Sequence, residues 1–196
     1  MTSLLDRFVP DHDVRERFET TVRAPAGLVM EVATRFDMQS PPLVRAIFRL
    51  RETLLRSAPR SPRVSQGLLD ETTRLGWGLL AEEPGRWVAC GARCQPWLAD
   101  VKFVAIPAED FASCAEPGMV KIAWSLEADE TAPNITRFAQ ETRAVATDAA
   151  ARAKFLRYWR WARFGVVAIR LLMLPAVRRE AERRWAATQD RGATVL

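Results

Sequence analysis

Glu141 and Arg143, two residues apart in the segment Ile135 to Ala146, form the one local acid–base pair that draws attention. Strand periodicity turns both to the same, outward side, where an ion pair contributes about 0–1 kcal/mol and performs no catalysis. His12, the single histidine, sits between Asp11 and Asp13 in a polar stretch. A solvated ring is the expectation there, with general-base duty the alternative. One histidine leaves a Ser-His-Asp triad or a histidine-rich metal site little to draw on. Cys90 and Cys94 are separated by three residues and Cys114 lies far off, which fits neither CxxC redox chemistry, nor a zinc knuckle, nor a disulfide framework. Asp11, Asp13, Asp129 and Glu130 make no recognisable cation loop. No glycine-rich phosphate loop follows a strand. These residue types point to recognition rather than reaction, and to no metal or cofactor.

The recognition candidates are aromatic and amide groups. Trp124 and Phe138 fall on one apolar side of a hairpin, and Trp77 and Trp97 belong to neighbouring strand segments. Tyr158 and Trp159 share the apolar stripe of the last helix with Ile169 and Met173. Core packing is the first reading of each and lining a cavity is the alternative, Tyr158 and Trp159 adding a polar tip to an apolar body. Gln140 and Thr142 are the polar groups turned to the same side. A buried amide needs a partner, which makes Gln140 the candidate for orienting a ligand.

The elements that must position these groups are legible as periods. Residues 3–9 suggest a short helical leader ended by Pro10. Arg17 to Arg23 alternates as a half-buried strand. Pro25 opens a helix carrying Leu28, Val29, Val32 and Phe36, and Ser40-Pro41 opens a second with Val44, Ile47, Phe48, Arg51, Leu54 and Leu55. Residues 59–66 form a Pro/Ser/Arg loop. Leu75 to Ala81 and Arg86 to Ala92 flank the Pro84-Gly85 turn, and Trp97 to Ile106 suggests a further strand. Met119 to Ala128 and Ile135 to Ala146 make a hairpin. Setting Ala128 opposite Asn134 places Trp124 against Phe138, Ile122 against Gln140 and Val120 against Thr142, with Lys121 against Glu141 and Ser125 against Arg137 on the other side. From Asp148, an N-cap, a helix runs over 148–188 with Phe155, Tyr158, Trp159, Ala162, Val166, Ile169, Met173 and Val177 at three- and four-residue steps. Pro175 should kink it.

Length and composition bound the rest. The chain has 196 residues, 48% hydrophobic and 27% charged, with 12 prolines and 9 glycines, which favours one packed domain over 1–196 and excludes collagen-like or disordered classes. Net charge is +5, concentrated where residues 148–184 hold ten basic against three acidic side chains. A solvated helix face explains that segment most simply; contact with nucleic acid or an anionic membrane is the alternative. The longest apolar run, Phe164 to Val177, is interrupted by Arg170 and Pro175 and is too short to span a bilayer. No signal-peptide pattern opens the chain, and a cytoplasmic, reduced location is expected.

Strand, two helices, a run of antiparallel strands and one long amphipathic helix is the order of a helix-grip fold. With Glu19-Thr20-Thr21-Val22-Arg23-Ala24-Pro25 entering a helix, Trp77 through Trp87 around Pro84-Gly85, Glu141-Thr142-Arg143 before Ala146-Thr147-Asp148, and Phe155-Leu156-Arg157-Tyr158-Trp159 in the closing helix, residues 12–185 resemble the START-like, polyketide cyclase/dehydrase (SRPBCC) superfamily. The resemblance implies an α+β fold: a curved antiparallel sheet wrapped around the long C-terminal helix, two helices inserted after the first strand, and a pocket between sheet and helix. No shared catalytic motif comes with it. The expected function is binding of a hydrophobic or lipid-like small molecule at Trp77, Trp97, Trp124, Phe138, Gln140, Thr142, Tyr158, Trp159, Ile169 and Met173, without catalysis. The alternative is a cyclase- or dehydratase-like enzyme acting on an aromatic or polyketide-type substrate. No nucleic-acid partner is expected, and membrane contact ranks last.

Overall fold

A computed structural model describes residues 3–36 and 67–193. The expected helix from Ser40 and the loop 59–66 lie outside the described residues. After a 3-10 turn (Leu4–Arg7) come β1 (Val14–Val22), α1 (Ala26–Thr34), α2 (Leu68–Arg74), β2 (Gly78–Glu83), β3 (Trp87–Cys94), β4 (Val120–Ala132), β5 (Ile135–Ala146) and α3 (Ala149–Ala193). The strands form an antiparallel sheet in the order β1-β5-β4-β3-β2, so the first strand seats against the last. With α3 laid across β1, β5 and β4 and α1 beside it, the architecture is the expected α+β helix grip.

The even-numbered residues of β4 and β5 face α3. Trp124, Leu126, Ala128 and Phe138 pack there against Val29, Met30, Met173 and Val177. At the other end of the helix a smaller cluster joins Phe155 to Val14, Val120 and Ala144. Asp148 caps α3 by accepting the Ala151 N–H at 2.7 Å, and a second carboxylate oxygen accepts the Gly118 N–H. The helix continues through Pro175, which occupies an exposed position, to Ala193.

The side of the sheet facing away from α3 is also buried, which the alternating pattern did not reveal. Leu5, Phe8 and Val9 of the leader fold back over it and pack with Leu80, Ala89, Ile106, Phe111 and Ala123. Glu141 and Arg143 therefore point away from the helix as expected but are not a surface pair: they are 0% and 2% exposed. Glu141 accepts hydrogen bonds from Arg143 (2.7 Å), Arg17 (2.8 Å), Arg15 (2.9 Å) and the Ser3 hydroxyl (3.0 Å). Arg143 reaches on to Asp6 at 2.7 Å and to the Val9 carbonyl at 2.8 Å, so one buried ion network holds the leader down.

Two further expectations are corrected. The β4–β5 register differs by four residues: Trp124 lies opposite Thr142, Leu126 opposite Gln140 and Ala128 opposite Phe138. The first strand of this hairpin runs past Ala128 as far as Ala132, and Pro133-Asn134 alone makes the turn. Proline's fixed φ starts it, Asn134 takes the left-handed conformation (φ 57°), and a bulge between Glu130 and Ala132 absorbs the odd residue. An even shift preserves faces, so Trp124, Phe138, Gln140 and Thr142 still share one side. The cross-strand ion pair is Asp129–Arg137 at 2.8 Å rather than Lys121–Glu141. Lys121 instead lies opposite Val145, buried, and donates to the Phe111 and Ala112 carbonyls.

Residues 97–106 form no strand. Val104 makes a single bridge to Arg93, with N···O distances of 2.9 and 3.0 Å. β2 already fills that edge of β3 as far as Gly91, which leaves room for one bridge only. α2, a short helix unmarked by a strong apolar period, escaped the sequence reading.

Candidate functional site

Among the described residues, the apolar stripe of α3 joins a buried cluster at each end. Phe155 seals one end and Met173, Leu174, Val177 and Ala181 seal the other. Between Ala162 and Met173, about 16 Å of helix, no residue is buried. Val166 and Ile169 point along the stripe yet, among the described residues, pack against neither cluster. Ala162, at the start of this interval, is buried.

The sheet offers this interval its polar groups. Gln140, 2% exposed, lies between Leu126 and Phe18 on its neighbouring strands. Its Oε1 has no hydrogen-bond donor. A buried acceptor left unmatched costs about 1–3 kcal/mol, so it marks a place where a partner is missing. Thr142, half-buried, lies opposite Trp124 and opposite Glu16 at the sheet edge.

The ten sequence-derived candidates divide accordingly. Trp124, Phe138 and Met173 form the floor at the Val177 end. Trp97, Tyr158 and Trp159 are half-buried around Phe155 at the other end, with Lys154 over the Trp97 ring at 6.0 Å and Trp159 6.0 Å from Phe155. Gln140, Thr142 and Ile169 lie between the two. Trp77 precedes β2, stacks on Phe103 at 4.8 Å and packs from the side against the Val177-end cluster. The structure thus assembles two aromatic ends and a polar middle rather than one ring of contacts.

Sequence reading treated Arg170 only as an interruption of an apolar run. Its signal was positional. At 100° per residue Arg170 falls between the bearings of Val177 and Ala181, both fully buried, in the middle of the inward stripe. Loss of hydration pushes its guanidinium down to about 10, so it remains charged at neutral pH. Glu16 makes no ion pair with it, nor does any other acid among the described residues.

Two surface depressions lie elsewhere. One, about 420 Å³, is bordered by His12, Asp13, Asp148 and Arg152, and Arg152 and Asp13 already pair across it at 2.6 Å. The other, about 240 Å³, lies between α1 and the β2–β3 turn. Neither is lined by residues of α3 between Ala162 and Met173. Among the described residues no group of His, Cys, Asp or Glu could hold a metal ion, and no helix is long and apolar enough to cross a membrane.

The cysteines are separate. Burial pushes the Cys90 thiol up to about 12, and the nearby Glu82 charge adds to this. Cys94 is buried as well, whereas Cys114 is partly exposed. Iodoacetamide at pH 8 should therefore alkylate Cys114 while leaving Cys90 and Cys94 intact, as peptide mass spectrometry would show. Native-state labelling of Cys90 at a rate comparable to Cys114 would contradict this burial.

No family model matches the chain, and no curated protein matches it. Solved structures do. The Zhui aromatase/cyclase from Streptomyces sp. R1128 is 17% identical, over 87% of this chain and 94% of that one, with a TM-score of 0.37. CalU16 from Micromonospora echinospora is 13% identical over 88% and 86%, with a TM-score of 0.29. DR_A0006 from Deinococcus radiodurans is 14% identical over 78% and 99%, with a TM-score of 0.28. Similarity this low transfers no residue role or substrate; the helix-grip assignment rests on the strand order and the placement of α3.

Proposed function

We propose that this protein binds a small, mainly apolar molecule in the interval between β5 and the middle of α3. One observation carries the reading: among the described residues, the inward stripe of α3 joins a buried cluster at each end but not between, and there the sheet presents the unmatched Gln140 Oε1. Concave, mostly apolar surfaces with a few fixed polar groups are the usual form of small-molecule sites. Trp124 and Phe138 bound the interval at its Val177 end, and Gln140 and Thr142 supply orientation. Binding accounts for these groups without a reaction: the buried carboxylate, Glu141, is turned to the opposite side of the sheet and is fully engaged by Arg143, Arg17 and Arg15.

The neutral fluorophore N-phenyl-1-naphthylamine tests this. It should bind saturably with a blue-shifted emission and raise the melting temperature in step with its concentration. Val166→Trp, which fills the interval from a half-buried helix position, should weaken that binding at least tenfold with the helical circular dichroism unchanged. Absence of saturable binding to the wild type, or full binding by the folded Val166→Trp variant, would refute the site.

A further inference from the structure

We infer that the molecule bound in this interval is an acid whose anionic group pairs with Arg170; the inference rests on the binding reading above. Arg170 stands on the face of α3 that meets the sheet, one helical turn before Met173 and Leu174 in the apolar end. It has the bearing of a core position and the chemistry of a recognition group.

Its isolation is unusual within this molecule. The buried and half-buried arginines of the sheet, Arg17, Arg93, Arg137 and Arg143, each hold a carboxylate at 2.7–2.9 Å. Arg170, also half-buried, holds none among the described residues. Withdrawing a guanidinium from water without a counter-charge is costly, and an anion supplied from outside recovers that cost on binding. Arginine also keeps its charge at any physiological pH and offers a planar fork that matches a carboxylate or sulfonate in two parallel hydrogen bonds.

The second, independent observation is on the opposite wall. Gln140 Oε1 is buried and unmatched, so it calls for a donor such as a hydroxyl or N–H on the same ligand. An apolar body, an acidic end toward the helix and a donor toward β5 describe an aromatic or aliphatic acid that also carries a hydroxyl or amine. A neutral lipid or hydrocarbon would leave both groups unmatched.

Two probes with one skeleton separate the possibilities. 1-Anilinonaphthalene-8-sulfonate is N-phenyl-1-naphthylamine with a sulfonate added. Wild-type protein should bind the sulfonate probe more tightly than the neutral one. Arg170→Gln should weaken the sulfonate probe about tenfold and leave the neutral probe within twofold, and Arg170→Lys should retain most of the preference. Phe164→Ser, on the outward face where Phe164 is 69% exposed, should change neither probe. If the neutral probe binds, is blocked by Val166→Trp, and the ratio of the two affinities is unmoved by Arg170→Gln, the acid assignment is wrong while the site stands. If neither probe binds the interval, the site itself is wrong.

Discussion

Glu141→Gln should remove about 3–5 kcal/mol of stability at neutral pH, the range for breaking a buried ion pair from one side. Glutamine matches the shape but cannot balance Arg143, 2% exposed, nor accept as strongly from Arg15, Arg17 and Ser3. The same residue sets an acid limit. Burial alone would raise its carboxyl; hydrogen bonds from Arg143, Arg15, Arg17 and Ser3 outweigh burial and hold it at about 2 instead of the ordinary 4.5. A carboxyl depressed on folding stabilises the folded state fully above its ordinary value and loses that contribution as pH falls toward the depressed one. The wild type should thus shed about 3 kcal/mol between pH 5 and pH 2 through this group. Asp6, also lowered, first by its hydrogen bond from Arg143, acts in the same direction. Urea denaturation at a series of pH values would show the wild-type and Glu141→Gln curves converging on acidification. Parallel curves, or a neutral-pH loss under about 1 kcal/mol, would show that the network is not what retains the leader.

The second large effect falls on Gly91. A Cβ at this position would sit 2.4 Å from Phe111 Cε2 and 2.7 Å from Leu80 Cδ1. Phe111 is fully buried, edge-on to Phe8 at 6.3 Å, with its carbonyl held by Lys121, so the ring has nowhere to retreat. Gly91→Ala should cost about 1–3 kcal/mol through overpacking, and Gly91→Val more. The decisive measurement is a double-mutant cycle with Phe111→Leu. Each single change should destabilise, and the alanine should cost at least about 1 kcal/mol less beside leucine than beside phenylalanine. Equal cost in both backgrounds would place the constraint on Leu80 or the backbone instead.

These residues also show how much could be read in advance. Period-two alternation in β4 and β5 and the three-to-four spacing after Asp148 were enough to place Trp124, Phe138, Gln140 and Thr142 on the side that meets the closing helix. Faces survive an even register error, which is why the wrong pairing of Trp124 with Phe138 moved none of these residues to the other side of the sheet. The register itself depended on whether Asp129 to Asn134 looped or turned, and the left-handed Asn134 decided that. The burial of Glu141 was invisible because a strand's pattern says which residues share a side, not whether a distant leader will cover it. Arg170 was overlooked for a related reason: hydropathy counts a charge as an exception to a stripe, while helical geometry counts it as a member. The 97–106 segment failed as a strand because its would-be edge was occupied, a matter of topology rather than propensity.

The pairing of β1 with β5 carries one further consequence. Val14 meets Ala144 and Val22 meets Thr136, so the first strand has no ladder to join until more than a hundred later residues exist. During synthesis, at about 5–20 residues per second, β1 must wait several seconds with its backbone groups turned to water. Arg15, Arg17 and Glu19 along that strand keep the waiting segment charged, and a charged edge is a poor template for premature association with a neighbouring nascent chain.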